Sequence, residues 1–171
     1  MERQARELSM MNNDDPRAGF RLIHPLRVRY NEADMQGIVF NANYLVYADI
    51  GITAYFRALA EATFPEETSL HAADFLGHFG GDCWVRHADV DFRAPAHADE
   101  MLDVALRITR FGRTSFSTLV HIIRDGTLLN AVKLTQVWFD RETEKVSPVA
   151  EGFIEAVNAF ETISPTREGA A

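Results

Sequence analysis

One segment constrains the fold of this chain more than any other: an apolar run with helical spacing from Tyr44 to about Ala62. Its apolar residues recur at intervals of three and four, and others occupy the remaining sides of the helix. A helix that is apolar nearly all round is typical of a buried helix. Gly51 and several alanines lie within it, and such small residues let a sheet approach closely. The pattern therefore predicts a central helix that the rest of the domain covers.

The rest of the pattern has a period of two, which indicates strands. One alternating run precedes the helix, from Leu26 to Tyr30, and four more follow between residues 84 and 139. In the first of those four, the alternation places Trp84 and Phe92 on the same face. Asp125-Gly126 predicts a type I′ hairpin turn between the last two strands. This order predicts an α+β domain, with one buried helix against one curled antiparallel sheet.

The remaining segments are assigned by turn signals and by loss of periodicity. We predict a second, shorter helix from Glu66 to about Leu76, a loop from Gly77 to Gly81, and a last helix from about Ala150 to Glu161. The first residues lack a sustained period and include a turn-rich cluster, so we interpret them as flexible. The predicted boundaries are 1–24 for a flexible N-terminal extension, 25–162 for a single domain and 163–171 for a polar tail.

Composition excludes several classes of protein. A length of 171 residues suggests one domain, and the net charge of −8 argues against broad nucleic-acid binding, although local arginines could still hold a small anionic ligand. No apolar run reaches the roughly 18–20 residues of a membrane span. Cys83 is the only cysteine, and the six histidines lack metal-ligand spacing, so neither a disulfide nor a metal site is expected. With no signal peptide visible, we expect a cytoplasmic protein.

The residues with the clearest chemical potential come just before the helix. Asp34 opens a turn that Gly37 permits, and either Asn41 or Asn43 could cap the helix that follows. A carboxylate beside a helix N-terminus suits attack on a carbonyl, because one side supplies a base or nucleophile and the other stabilises an oxyanion. The alternative is that Asp34 only caps the turn at Gly37. The residues alone leave both readings open.

The same stretch resembles a known family. Asp34, the run Gly37-Ile38-Val39, Asn43-Tyr44 and an acid at Asp49 resemble the signature of hot-dog-fold acyl-CoA thioesterases of the 4-hydroxybenzoyl-CoA thioesterase type. Weaker matches follow in the expected order: Phe92 to Pro95, Arg113 to Phe116, and Ser147-Pro148. The similarity covers roughly residues 26 to 160. It implies the hot-dog fold, in which a curled sheet wraps the long helix and two protomers pair their sheets edge to edge.

The resemblance also implies an activity and a set of site residues. It assigns Asp34 as the catalytic carboxylate, acting as nucleophile or general base, and the backbone N–H near Asn41 as the donor that polarises the thioester carbonyl. Arg113, with Arg110 as a second candidate, would contact the phosphates of coenzyme A. The further substrate-binding residues that it implies are Gly37, Ile38, Asn43, Tyr44 and Asp49. No metal or redox cofactor is expected, because coenzyme A belongs to the substrate, and a homodimer or homotetramer is expected.

Departures from the family pattern keep alternatives open. Many members carry His where this chain has Asn41, and Glu then Arg where it has Asp49 and Ile52. Asp49 lies on the helix predicted to be buried, where a carboxylate must be paired or protonated, so it could be a structural hydrogen-bonding residue or a supporting residue of the site. The activity could also be hydrolysis of an acyl group on acyl carrier protein, although this acidic chain lacks a basic rim for that partner. A non-catalytic acyl-CoA-binding module is the alternative from another class.

Overall fold

The long predicted helix is the centre of the domain. The computed structural model describes residues 15–66 and 72–167, and within them helix α1 spans Asn43–Thr63. Tyr47, Ala48 and Leu59 on this helix are completely buried. A Cβ placed on Gly51 would lie 2.8 Å from Cγ1 of Val104, so the glycine does allow the close helix–sheet approach predicted for it.

Burial of the helix is not complete. Leu45 and Val46 are 40% and 49% exposed, and Asp49 is also exposed. The prediction that α1 is covered on all sides is therefore wrong for the single chain. The apolar residues on this face are left uncovered because the sheet of one chain curls around only part of the helix.

A single sheet covers the other sides of α1. The strands are β1 Leu22–Arg27, β2 Gly81–Phe92, β3 Met101–Phe111, β4 Ser115–Arg124, β5 Thr127–Asp140 and β6 Thr166–Arg167. Strands β1 to β5 pair antiparallel in the order β1-β3-β4-β5-β2, while the two-residue β6 pairs with β3 in parallel. Asp125 and Gly126 have positive φ values of 49° and 78°, as the predicted hairpin turn requires. Strand β2 is an edge strand, paired within the described chain with β5 on one side only.

A bulge changes the phase of β2. Val85 pairs with Gln136 and His87 pairs with Thr135, so Arg86 is an extra residue without an opposite partner. Phe92 consequently faces the helix, whereas Trp84 lies on the outer face of the sheet. The expectation that Trp84 and Phe92 share a face is wrong, because strict alternation does not reveal an inserted residue.

A short helix lies inside the range predicted for the second helix, and a 3-10 helix replaces most of the predicted loop. Residues 67–71 lie outside the described residues, followed by helix α2 at Ala72–Phe75 and a 3-10 helix at Leu76–Phe79. Strand β2 then begins at Gly81, so the predicted loop from Gly77 to Gly81 is wrong. Buried aromatic packing explains the compact turn, since the Phe75 and Phe79 rings meet edge to face at 5.3 Å.

The C-terminal helix confirms its prediction. Helix α3 spans Glu151–Phe160, and its Phe153 stacks on Trp138 with ring centroids 5.2 Å apart. None of the helices in the described part of the chain is long and apolar enough to cross a membrane.

The start of the domain lies earlier than predicted. Strand β1 begins at Leu22, inside the segment interpreted as an extension. The preceding residues are also attached to the domain: Arg17 pairs with Asp103 at 2.6 Å, and Arg21 donates to the carbonyl oxygen of Phe160 at 2.7 Å. Residues 163–167 of the predicted polar tail are also attached, because Thr166 and Arg167 pair with β3. The rest of the predicted extension and tail, residues 1–14 and 168–171, lies outside the described residues.

Candidate active site

Asp34 lies in a tight turn held by its own backbone. The Asp34 N–H donates to the Ile38 carbonyl at 2.8 Å, and the Gly37 N–H donates to the Asp34 carbonyl at 3.0 Å. Gly37 has a φ of +77°, which explains why glycine occupies this position. The Gln36 N–H donates to Oδ1 of Asp34 at 2.7 Å, while Oδ2 accepts no hydrogen bond from any described residue. One oxygen fixes the half-buried carboxylate, and the other is available for chemistry.

The N-terminus of α1 begins next to this turn. The N–H of Asn43 donates to the Phe40 carbonyl at 2.8 Å, and the N–H of Tyr44 donates to the Asn41 carbonyl at 3.3 Å. The preceding N–H groups, on Asn41 and Ala42, donate to no backbone acceptor in the described ranges. Unpaired N–H groups at a helix N-terminus carry part of the positive end of the helix dipole. They are suited to bind an oxygen that is acquiring negative charge.

A single pocket joins the carboxylate to the helix N-terminus. Its volume is about 390 Å³, and its lining includes Asp34, Ile38, Asn41 and Tyr44. The end of β2 forms the opposite wall, where the Phe92 ring meets the Tyr44 ring edge to face at 5.7 Å. A larger groove of about 770 Å³ runs along β1 but contains neither Asp34 nor Asn41. The smaller pocket is the better site for catalysis because it places a carboxylate beside helix N–H donors.

Two predicted residues support the pocket without lining it. Gly37 provides the positive φ of the turn. Nδ2 of Asn43 donates to the main-chain oxygen of Glu32 at 2.8 Å, so this amide attaches the helix to the chain before Asp34. Asp49 lies further along α1 and lines a separate cavity of about 260 Å³. It is exposed rather than buried, which contradicts the sequence-based reading of its helix face.

The two arginines predicted to contact phosphate lie at the other end of the sheet. Phe92, at the pocket, pairs with Asn130 of β5, whereas Ser115, just after Arg113, pairs with Val137 of β5. At roughly 3.3 Å per residue, this part of β5 spans about 23 Å. Arg110 lies near the same distant end, next to the last residue of β3. Within one chain, neither arginine shares the Asp34 pocket.

Sequence reasoning missed several residues of this site. Gln36 and the segment Phe92 to Pro95 line the pocket, whereas the sequence indicates the segment only as a weaker match to the family. Glu32 is a further residue of the site that the sequence does not indicate. It accepts hydrogen bonds from the Arg29 N–H before the turn and from the Tyr47 hydroxyl after it. The sequence carries no capping-box signal for it, because Arg29, three residues earlier, has no side-chain acceptor.

Neither a cluster of metal ligands nor a reactive thiol occurs in the described part of the chain. In residues 15–66 and 72–167, no three His, Cys, Asp or Glu side chains converge on one point. His71 lies outside the described residues. Burial, with the nearby charges of Asp82 and Asp49, raises the pKa of the Cys83 thiol to about 12, so the thiol stays protonated near neutral pH.

Comparison with known proteins decides the family. A family model described as the thioesterase superfamily matches residues 36–131, more than half of the chain. The chain belongs to the thioesterase superfamily. Among its relatives is the acyl-CoA thioester hydrolase YbgC of Escherichia coli O6:H1, which is 30% identical over 119 residues. That alignment covers 68% of this chain and 80% of the relative.

Solved structures of thioesterases share the fold. A thioesterase from Thermus thermophilus, complexed with coenzyme A and Zn, superposes with a TM-score of 0.70 and 22% identity, covering 85% of this chain and 98% of that one. Slr0204, a 1,4-dihydroxy-2-naphthoyl-CoA thioesterase from Synechocystis, superposes with a TM-score of 0.61 and 23% identity, covering 79% and 93%. The predicted hot-dog fold of this thioesterase is confirmed.

Proposed function

We propose that this thioesterase hydrolyses acyl-CoA thioesters, with Asp34 as nucleophile or general base and the N-terminus of α1 as the oxyanion site. One observation carries the proposal: Asp34 and Asn41 line the same pocket, with a free carboxylate oxygen on one side and unpaired helix N–H groups on the other. Hydrolysis of a thioester needs both features within reach of one carbonyl carbon.

The chemistry can follow two routes that use the same groups. As a general base, Asp34 takes a proton from water while the resulting hydroxide adds to the carbonyl carbon. As a nucleophile, Asp34 adds directly, displaces the thiolate to form a mixed anhydride, and water then hydrolyses the anhydride. In both routes the helix N–H groups stabilise the tetrahedral oxyanion, the C–S bond breaks, and the thiolate leaves and is protonated.

The relatives support coenzyme A as the thiol. YbgC is named as an acyl-CoA thioester hydrolase, and the Thermus thermophilus structure is a complex with coenzyme A. The Tyr44 and Phe92 rings form an apolar wall that suits the acyl group. Coenzyme A enters as part of the substrate, so the proposed reaction requires no further cofactor.

We infer that the complete site forms between two chains. Among the described residues, strand β2 is paired on one side only, and Val85 and Phe92 on its helix-facing side are 48% and 54% exposed. Antiparallel pairing of two β2 strands about a twofold axis would cover these side chains together with the exposed face of α1. It would also place the start of one β2 beside the end of the other. Arg113 of the partner subunit would then approach the Asp34 pocket, where it can contact phosphate.

The experiment is free-thiol release from acyl-CoAs of increasing chain length, aliphatic and aromatic, with wild type beside Asp34→Asn. Asp99→Asn is the matched control, because Asp99 is an exposed carboxylate that pairs with Arg27 outside the pocket. We expect turnover in wild type and in the control and a loss on the order of 10²-fold or more in Asp34→Asn. Full activity of Asp34→Asn contradicts the mechanism. Coenzyme A binding without turnover in wild type would instead identify a non-catalytic module, and hydrolysis of acyl carrier protein thioesters alone would identify the other substrate class.

A further inference from the structure

Glu32 connects the two halves of the Asp34 pocket. It ends a 3-10 turn, Tyr30–Glu32, two residues before Asp34, and its side chain is only 12% exposed. Its Oε2 accepts a hydrogen bond from the Arg29 N–H at 2.8 Å and another from the Tyr47 hydroxyl at 2.8 Å. Tyr47 lies on α1 and is completely buried. The carboxylate therefore attaches the chain that enters the catalytic turn to the body of the helix.

The main-chain oxygen of Glu32 makes a second connection. It accepts the Phe40 N–H at 2.9 Å and Nδ2 of Asn43 at 2.8 Å. Phe40 and Asn43 flank Asn41, whose N–H group is a proposed oxyanion donor. Glu32 belongs to the chain segment that leads into Asp34. Its main-chain carbonyl binds the two residues on either side of Asn41, so it joins the segment before Asp34 to the segment around Asn41.

The hydroxyl of Tyr47 is a dependable donor in this arrangement. Burial raises its pKa, and the hydrogen bond to the Glu32 carboxylate raises it further, so the phenol keeps its proton. Within the described residues, the bond between Tyr47 and Glu32 joins the side chain that ends the 3-10 helix to a side chain in the second helical turn of α1.

On the basis of the proposed function, we propose that Glu32, with Tyr47 and Asn43, is a positioning residue that fixes the distance between Asp34 and the oxyanion donors at the start of α1. The three side chains do not need to touch substrate. Their effect is geometric, because a displacement of about 1 Å between a catalytic group and the reacting carbon can lower the rate about 10²-fold.

A second tyrosine on the same helix provides a matched control. Tyr55 is also buried, and its hydroxyl also donates to a glutamate, Glu161, at 2.7 Å. This pair lies among the buried residues near α3 and is not part of the Asp34 pocket. Tyr47→Phe and Tyr55→Phe therefore each remove one hydrogen bond between a buried hydroxyl of α1 and a carboxylate. Only the bond of Tyr47 connects α1 to the turn that carries Asp34.

The test compares kcat, KM and Tm for these variants with acyl-CoA substrate. We expect Tyr47→Phe to lower kcat on the order of 10- to 100-fold with KM changed less than about threefold, and Tyr55→Phe to leave kcat within about twofold even if its Tm falls equally. Glu32→Gln retains an acceptor for both donors and should keep more activity than Glu32→Ala. Equal kcat in Tyr47→Phe and Tyr55→Phe, or equal losses in Glu32→Gln and Glu32→Ala, would overturn the positioning role.

Failure of this inference can be told apart from failure of the proposed function. If Asp34→Asn abolishes turnover while Tyr47→Phe retains it, the thioesterase mechanism holds and only the role of Glu32 is wrong. If Asp34→Asn retains full turnover, Asp34 has no catalytic role and the positioning role of Glu32 is excluded with it.

Discussion

The main-chain N–H of Gln36 donates a hydrogen bond of 2.7 Å to Oδ1 of Asp34. This bond uses one carboxylate oxygen to build the turn and leaves Oδ2 available for chemistry. Structure and reactivity are thus divided between the two oxygens of one side chain.

A first prediction follows for the stability of Asp34 variants. Asn at this position keeps an oxygen that can accept from Gln36, so Asp34→Asn should unfold at nearly the wild-type denaturant concentration. Asp34→Ala loses the bond and should be less stable by about 1 kcal/mol. Urea unfolding followed by circular dichroism measures both. Equal stability of the two variants would show that the Gln36 bond does not hold the turn.

The close contact at Gly51 gives a second prediction. Ala at this position improves helix propensity by up to about 1 kcal/mol, but its Cβ would lie 2.8 Å from Cγ1 of the fully buried Val104. Overpacking costs about 1–3 kcal/mol, so Gly51→Ala should be destabilising overall. Guanidinium unfolding of Gly51→Ala in the wild-type and Val104→Ala backgrounds checks the cause. The substitution should cost less where Val104 is shortened, and an equal cost in both backgrounds would exclude the clash.

The buried Glu161 gives a third prediction, on how stability depends on pH. Burial raises the pKa of its carboxyl above the usual value, even though Oε1 accepts from Tyr55 and from the Ile108 N–H. The folded protein therefore holds this proton at a pH where the unfolded chain has lost it. The stabilising contribution is complete below the unfolded pKa of about 4.3 and disappears as the pH rises through the folded value.

The measurement is the free energy of unfolding from pH 4 to 8 for wild type and Glu161→Gln. Gln retains acceptors for both donors but does not titrate, so the variant should lack the decline that this carboxyl causes above a pH of about 4.3. As the pH rises above about 4.3, the free energy of unfolding of wild type should therefore fall relative to that of Glu161→Gln. A difference that stays constant with pH would contradict the raised pKa.

The exposed helix-facing side of β2 gives a fourth prediction. Val85 is 48% exposed, and we expect it to be covered by the second chain, so Val85→Lys should convert the protein to monomers and reduce turnover. Ile23 is 39% exposed and lies on β1, at the opposite edge of the sheet from β2, which makes Ile23→Lys the control for added charge. Analytical ultracentrifugation at micromolar concentration measures both. A monomeric wild type, or an unchanged assembly in Val85→Lys, would contradict pairing through β2.

Local patterns were sufficient to predict much of this fold. The limits of α1 and α3, the hairpin at Asp125-Gly126 and the turn at Asp34 all depend on short-range propensity and capping, which a sequence displays directly. The bulge at Arg86 is different, because an extra residue is recognised only against the opposite strand.

The site residues divide in the same way. Asp34 and Asn41 are close in sequence, so the turn and helix that bring them together could be predicted from their own stretch. Arg113 is placed by the pairing of β4 with β5, and its separation from Asp34 becomes visible only when the strand register is known. The roles of Glu32 and Tyr47 depend on a contact between a turn and a buried helix face, which no periodicity indicates.

The hydrogen bonds to Glu32 have a consequence for substrate binding. They close residues 32–43 into a short ring whose ends are joined before any ligand arrives. The conformational entropy of ordering that ring is therefore lost during folding and does not weaken substrate affinity. The Asp34 carboxylate and the N–H donors at the start of α1 are therefore already in position when a thioester binds. More of the binding energy can then lower the barrier to the step in which the carbonyl becomes tetrahedral.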